Sequence, residues 1–281
     1  MTNLSTGGPR IDANGARIPA LGLGTWKLEG EGCAKAVAHA LACGYRHIDT
    51  AMMYGNEAAV GEGLRASGVA RDEVFVTTKV WMDQIRDGDL QRSAEASLKR
   101  LGLARVDLLL IHWPNPDIAL KDSIRALCDA KRRGLAAHVG VSNFPVAMLD
   151  EAVALASEKL CANQVEYHPR LDQARVLAAC RKHGMALTSY CPLGRGDLVN
   201  DASVARIAKA HGRTPAQIVL RWHVQQQGVA AIPKSGTPAH IEANFQIFDF
   251  VLADAEMAAL SGLGSAAGRM VTPAFAPKWD R

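Results

Sequence analysis

The sequence predicts an α/β fold of the (β/α)8 TIM-barrel class, and three observations carry that prediction. The chain has 281 residues, the usual length of one such barrel. Short, near-continuously apolar runs recur at Ala20–Trp26, His47–Thr50, Val74–Lys79, Val106–Trp113, Ala137–Asn143, Cys161–Tyr167, Ala186–Leu193 and Val229–Ser235. Strands buried on both faces read this way, without alternation. Longer stretches with apolar residues at helical spacing separate them: Glu31–Cys43, Glu57–Ala66, Leu90–Leu101, Ser123–Arg132, Val146–Ala156, Arg175–His183, Ala202–Ala210 and Pro215–Gln226. Strand then helix, repeated eight times, closes a parallel sheet into a barrel. An open doubly wound sheet would carry a G-x-G-x-x-G turn after its first strand, and Leu21-Gly22-Leu23-Gly24-Thr25-Trp26 is not one.

The elements follow in order. Ile11–Ile18, centred on Asn14-Gly15, predicts a β-hairpin plugging one end of the barrel. Asn56 stands as the cap of one helix, and Thr214-Pro215 opens another with proline in its first turn. Gly102, Gly134 and Gly184 each stop a helix just before the next strand. From about Gly264 the chain turns to Gly, Ala and Pro with little periodicity, which predicts a loop over the active-site face. No linker-like stretch divides the chain, so it reads as one domain spanning residues 1–281. The opening MTNLSTGGPR has no apolar core of a signal peptide and reads as a loose polar terminus. Val106–Trp113, the most apolar run, is too short to span a bilayer.

Composition narrows the class. The formal charge is +4, with both signs interspersed, so no basic stripe points to nucleic acid. Six cysteines, at 33, 43, 128, 161, 180 and 191, include no C-x-x-C pair, which predicts free thiols in a reducing, cytoplasmic compartment. The histidines are scattered without H-E-x-x-H or Cys-His spacing, so no metal site is expected, and no G-x-S-x-G elbow offers a serine nucleophile.

In a barrel, chemistry gathers at the C-terminal strand ends. Those ends carry Thr25-Trp26, Asp49-Thr50, Thr77-Thr78-Lys79, His112-Trp113, Ser142-Asn143, Gln164 to His168, Tyr190 to Leu193 and Lys234-Ser235. Each has an ordinary structural explanation alone: an aspartate ends a turn, a histidine is hydrogen-bonded in place, and Trp26, Trp81 and Trp113 fill a core. Together they converge, because one fold brings them to one mouth. A buried Lys79 needs a counter-charge, and Asp49 is placed to supply it. Tyr54 follows in the short loop before Asn56 and can swing over the same mouth. A free phenol titrates near pH 10, and a neighbouring ammonium shifts it down toward useful acid–base chemistry. His112 could then hold a substrate carbonyl, while an apolar, tryptophan-lined pocket excludes water from a hydride transfer.

These residues closely resemble the aldo-keto reductase superfamily. The match runs through Leu21–Trp26, Gly44-Tyr45-Arg46-His47-Ile48-Asp49-Thr50-Ala51, Thr78-Lys79-Val80-Trp81, Ile111-His112-Trp113-Pro114, Gly140-Val141-Ser142-Asn143-Phe144, Asn163-Gln164-Val165-Glu166, Tyr190-Cys191-Pro192-Leu193-Gly194 and Ile232-Pro233-Lys234-Ser235. The short loop after Leu193 and the ending Arg269-Met270-Val271-Thr272-Pro273 through Lys278-Trp279-Asp280 are similar to the bacterial 2,5-diketo-gluconic acid reductase and methylglyoxal reductase branch. The resemblance implies NADPH-dependent reduction of small aldehydes and ketones by a tetrad of Asp49, Tyr54, Lys79 and His112. Tyr54 would be the general acid. It implies an extended NADPH contacted by Thr25. Ser142, Asn143 and Gln164 would hold its carboxamide, and Tyr190 would stack on the nicotinamide. Leu193 would line the pyrophosphate path, Lys234 and Ser235 would meet the 2′-phosphate, and Asn244 would face the adenine. Trp26, Trp81 and Trp113 would wall the substrate pocket. Members of this branch are often monomers.

Two positions depart from the family pattern. His240 stands where the family often has arginine, so one bidentate grip on the 2′-phosphate is missing. NADPH is then expected to remain preferred with NADH usable. Ala137 replaces a charged residue at a position the chemistry does not need. Arg269 is read either as a partner for a substrate carboxylate or as a plain surface arginine. Two rival functions stand beside reduction: a Schiff-base lyase using Lys79, which the Asp49 partner disfavours, and a non-catalytic nucleotide-binding regulatory subunit, which the intact tetrad disfavours.

Overall fold

A computed structural model describes residues 7–280; the polar stretch Met1–Thr6 of the opening decapeptide lies outside them. The chain starts with an antiparallel hairpin of β1 (Arg10–Ala13) and β2 (Ala16–Pro19). An eight-stranded parallel sheet follows, in sequence order: β3 (Leu23–Gly24), β4 (His47–Asp49), β5 (Phe75–Val80), β6 (Val106–Ile111), β7 (Ala136–Ser142), β8 (Leu160–Glu166), β9 (Ala186–Tyr190) and β10 (Val229–Ala231). The sheet closes on itself. Gly22 N–H donates to Ala231 O at 2.9 Å, Gly24 N–H to Pro233 O at 3.0 Å and Ala231 N–H to Ala20 O at 2.9 Å. Only glycine permits the seam, since a Cβ at Gly24 would stand 2.7 Å from Ile232 O. The predicted runs are longer than these strands, because residues beyond each ladder, such as Thr25 and Cys191, belong to the site.

Helices cover the outside. They are α1 (Gly30–Ala42), α2 (Glu57–Ala66), α3 (Asp89–Leu101), α4 (Leu120–Arg132), α5 (Val146–Leu155), α6 (Ala174–Lys182), α7 (Ala202–His211), α8 (Pro215–Gln225), α9 (Pro238–Phe245) and α10 (Asp254–Ser261). Alternation is therefore not strict: α7 and α8 both intervene between β9 and β10, and α9 and α10 follow the last strand. Thr214 caps α8 as expected, accepting from Gln217 N–H at 3.2 Å. Asn56 sits at the cap position of α2 without capping it. Its amide instead donates to Thr25 O at 2.8 Å and Leu28 O at 2.9 Å, and its carbonyl accepts from Thr50 Oγ1 at 3.0 Å. Those bonds tie the loop after β3 to the loop after β4.

The hairpin plugs the N-terminal end of the barrel, as the sequence predicts. Ala16 and Ile18 pack on Phe75, Leu108, Leu110, Ala162, Ala186 and Ala230 inside it. Asn14 Nδ2 donates to Leu160 O at 2.7 Å and His183 O at 2.9 Å. The larger apolar core lies between the sheet and the helices. Among the described residues, no helix is long and apolar enough to cross a membrane.

Candidate active site

The C-terminal strand ends open into a cavity of about 480 Å³. Asp49, at the end of β4, lines it, and Lys79, near the end of β5, lies buried behind Asp49 and Tyr54; their side chains are 1% and 0% exposed. Lys79 Nζ donates to Asp49 Oδ1 at 2.5 Å, to Thr50 O at 2.9 Å and to the Tyr54 hydroxyl oxygen at 3.3 Å. All three ammonium donors are thus used. Gln164 Nε2 donates to the other Asp49 oxygen at 2.7 Å. Tyr54 ends a 3-10 turn, Met52–Tyr54, which Gly55 terminates at φ 69°. That turn aims the phenol back over Lys79.

The electrostatics correct one expectation. Burial pushes the Lys79 ammonium toward neutrality, but Asp49 and Tyr54 outweigh it, and its pKa lies above the usual lysine value. For Tyr54 the sign is opposite to the one predicted. Burial raises the phenol more than Lys79 lowers it, and Asp49 adds to the rise. Desolvation of a phenolate beats an ammonium that is already paired with a carboxylate. Tyr54 is therefore held as a neutral phenol. Because Lys79 donates to its oxygen, the phenolic proton is left free to point elsewhere. His112, at the end of β6, is held well below the ordinary histidine pKa by burial and then by Lys79, so it is neutral. Its Nδ1 is buried without a hydrogen-bond partner among the described residues. Its ring meets Tyr54 and Trp81 edge-on, with centroids 5.8 and 5.1 Å away.

The structure brings Thr25, Trp26, Asp49, Tyr54, His112, Trp113, Asn143, Gln164, Tyr190, Leu193 and Lys234 onto one cavity wall. Asn143 holds a left-handed φ of 64°, a conformation asparagine tolerates better than most residues. Three bonds fix it: Nδ2 donates to His112 O at 3.0 Å and Ser142 Oγ at 3.1 Å, and Oδ1 accepts from the Tyr190 hydroxyl at 2.8 Å. Ser142 is buried behind this wall and donates to Gln164 O at 2.8 Å. Trp81 lies behind His112 rather than on the wall. Ser235, His240 and Asn244 also lie off it. Ser235 Oγ accepts Thr237 N–H at 3.1 Å at the start of α9, His240 is exposed in that helix's first turn, and Asn244 is buried.

Sequence reasoning missed two cations on the same wall, Lys27 and Arg195. Arg195 has φ 51° and is followed by Gly196 at φ 99°. The signal was present: a Gly-Arg-Gly turn directly after Leu193. Lys27, Arg195 and Lys234 line one cavity with amide side chains and a tyrosine ring. That donor set suits a nicotinamide dinucleotide, with cations for phosphates and amides for a carboxamide.

The C-terminal tail covers the mouth as expected. Phe275 meets Trp81 and Trp113 edge-on at 5.7 and 5.4 Å, and Trp279 meets Trp113 at 6.0 Å. Its anchor was not foreseen. Glu166, fully buried at the end of β8, accepts Met270 N–H at 2.7 Å and Val271 N–H at 2.8 Å, and pairs with His168 Nε2 at 3.0 Å. Burial pushes its carboxyl up, but these bonds outweigh it and hold the pKa below the usual range. Val271, so placed, lines the cavity. Arg269 is neither exposed nor on the cavity wall: its guanidinium stacks 3.8 Å over Trp279. Arg269→Ala is accordingly expected to raise KM for acidic and neutral carbonyl substrates alike, by loosening the tail. A rise confined to acidic substrates would show that Arg269 meets the carboxylate directly.

Comparison with known proteins settles the family. The model of the aldo/keto reductase family matches residues 20–264. This chain is an aldo/keto reductase. It is 39% identical over 267 residues to methylglyoxal reductase DkgB of Escherichia coli O157:H7, covering 94% of this chain and 99% of that protein. A crystal structure of a provisionally named 2,5-diketo-D-gluconic acid reductase B is 44% identical, covers 97% of this chain and 98% of its own, and superposes with a TM-score of 0.95. A Bombyx mori aldo-keto reductase solved in complex with NADP is 33% identical, covers 95% of each chain and gives a TM-score of 0.88. The (β/α)8 architecture of this aldo/keto reductase is therefore that of its relatives.

Proposed function

We propose that the protein reduces small aldehydes and ketones to alcohols with NADPH, and that dicarbonyls such as methylglyoxal and keto-sugar acids such as 2,5-diketo-gluconate form its substrate class. The observation that carries this reading is the buried Asp49–Lys79–Tyr54 array opening on a cavity beside a neutral His112. When bound, NADPH supplies a hydride to the carbonyl carbon. The chain supplies the rest. Tyr54 delivers its proton to the developing alkoxide, Lys79 steadies the resulting phenolate, and Asp49 keeps Lys79 charged and in place. His112 donates a hydrogen bond that orients the carbonyl oxygen. Trp26, Trp113 and the tail, with Trp81 behind His112, keep water out.

Asn143 and Gln164, backed by Ser142, would hold the carboxamide, with Tyr190 against the nicotinamide ring and Thr25 beside it. Leu193, with Arg195 and Lys27, would follow the pyrophosphate. Lys234, Ser235 and His240 would meet the 2′-phosphate, and Asn244 the adenine. Lys79 is no Schiff-base nucleophile in this reading, because its amine is charged, inaccessible and bonded on three sides. We read the protein as a cytoplasmic monomer; its six cysteines are free thiols. NADPH oxidation assayed with methylglyoxal and 2,5-diketo-gluconate tests the proposal, and absence of turnover with any carbonyl would favour a nucleotide-binding regulatory role.

His240 allows a sharper test of the cofactor. Restoring arginine adds a charge-assisted bidentate contact of about 1.5–3 kcal/mol, or roughly tenfold or more in affinity. His240→Arg is expected to tighten NADPH by about that factor and leave NADH unchanged, read as Kd from tryptophan quenching. An unchanged ratio of the two constants would remove His240 from the phosphate site.

A further inference from the structure

Between the end of α1 and α9, three side chains converge that the reaction does not use. His39 and Cys43 lie one turn apart at the end of α1, and Glu242 reaches them from α9. Cys43 Sγ lies 3.4 Å from His39 Nε2, and Glu242 Oε1 lies 2.9 Å from the same nitrogen. The ligand atoms of all three lie within 4.8 Å of one another. A tetrahedral zinc ion, with bonds of about 2.0 Å to nitrogen or oxygen and 2.3 Å to sulfur, holds its ligands roughly 3.3–3.8 Å apart. His39 Nε2, 2.9 Å from the carboxylate oxygen and 3.4 Å from the sulfur, already stands close to that spacing from both partners.

We propose that His39, Cys43 and Glu242 form a binding site for a divalent zinc-class ion that bridges α1 and α9. Thiolate, carboxylate and neutral imidazole together carry two negative charges, matching a divalent cation. A sulfur–nitrogen–oxygen donor set selects zinc or cobalt over magnesium and calcium, which favour all-oxygen shells. His39 and Cys43 are partly buried and Glu242 is exposed, so the ion can enter from solvent and keep a water as its fourth ligand. The backbone around the site is already braced. Tyr45 Oη donates to Ile241 O at 3.1 Å, and its ring packs 4.9 Å from Phe245, so α9 is held at a fixed distance from the end of α1. Burial and the neighbouring Glu242 carboxylate hold the Cys43 thiol protonated in the ion-free protein, and an ion takes that proton's place. The same helix carries His240 and Asn244, so the ion would stiffen the element proposed to meet the adenosine end of the cofactor.

Cobalt(II) is the probe. Titrating the full-length protein is expected to produce a thiolate-to-cobalt charge-transfer band and tetrahedral d–d bands that saturate at one equivalent and are displaced by zinc but not magnesium. Cys43→Ser should abolish the charge-transfer band, and Glu242→Gln should weaken binding by about tenfold or more. Zinc should raise the Tm of the wild type and leave that of Cys43→Ser unmoved. NADPH turnover of ion-free Cys43→Ser should match the ion-free wild type, which shows that the variant is folded. A wild type without the charge-transfer band, or a band undiminished in Cys43→Ser, overturns the proposal.

Discussion

Tyr54→Phe is expected to lower kcat by on the order of 10²–10⁴-fold while leaving the Kd of NADPH nearly unchanged. Phenylalanine keeps the ring and its edge contact with His112 but removes the hydroxyl bonded to Lys79. The pH dependence follows from the raised pKa of the phenol. Reduction needs the protonated form, so activity should persist through neutrality and fall only as pH rises through that raised value. A solvent isotope effect should accompany the wild-type rate and vanish from the residual Tyr54→Phe rate. Near-normal turnover in Tyr54→Phe, with hydride transfer rate-limiting, would remove Tyr54 from the role of acid.

Lys79→Met should be nearly inactive near neutrality, and it should also be less stable. Losing the ammonium removes the charge that lowers the Tyr54 pKa, so burial and Asp49 act on the phenol unopposed. The alkaline limb of the rate profile should move to still higher pH, and the phenol becomes a weaker acid. Removing one member of a buried ion pair costs about 3–5 kcal/mol, because Asp49 is left charged and dry. The double variant Lys79→Met with Asp49→Asn should recover much of the stability and none of the activity, which separates the structural role of the pair from its catalytic one. Asp49→Asn alone should be milder in rate and shift the pH profile. Activity of Lys79→Met with an unchanged pH–rate curve would contradict the assignment.

The barrel was legible because buried parallel strands leave near-continuous apolar runs, and because the polar residues ending them sit where the fold needs none. The Asp49, Tyr54, Lys79 and His112 cluster followed from that placement. What escaped has specific causes. The Tyr54 pKa is pulled up by burial and Asp49 and down by Lys79, with burial the largest of these; a sequence shows the charges but not the desolvation. Asn56 has the composition of a cap, yet its amide is spent on two carbonyls that only the folded loops bring near. α10 contributes little apolar surface beyond Met257 and Leu260, so its periodicity is faint. Arg195 belongs to an irregular turn whose φ values no periodicity encodes.

The attachment of the tail to Glu166 has an evolutionary consequence. The carboxylate grips two backbone amides, and every residue except proline offers one. The grip is blind to the side chains it holds. Val271 and its neighbours can therefore be exchanged while the segment stays moored in the same place, so the wall of the pocket can be rewritten without rebuilding its foundation. Proline at 270 or 271 is the change this mooring forbids. A scaffold so arranged lets the rim of the pocket drift by single substitutions, while the buried Asp49–Lys79–Tyr54 array beneath is left untouched.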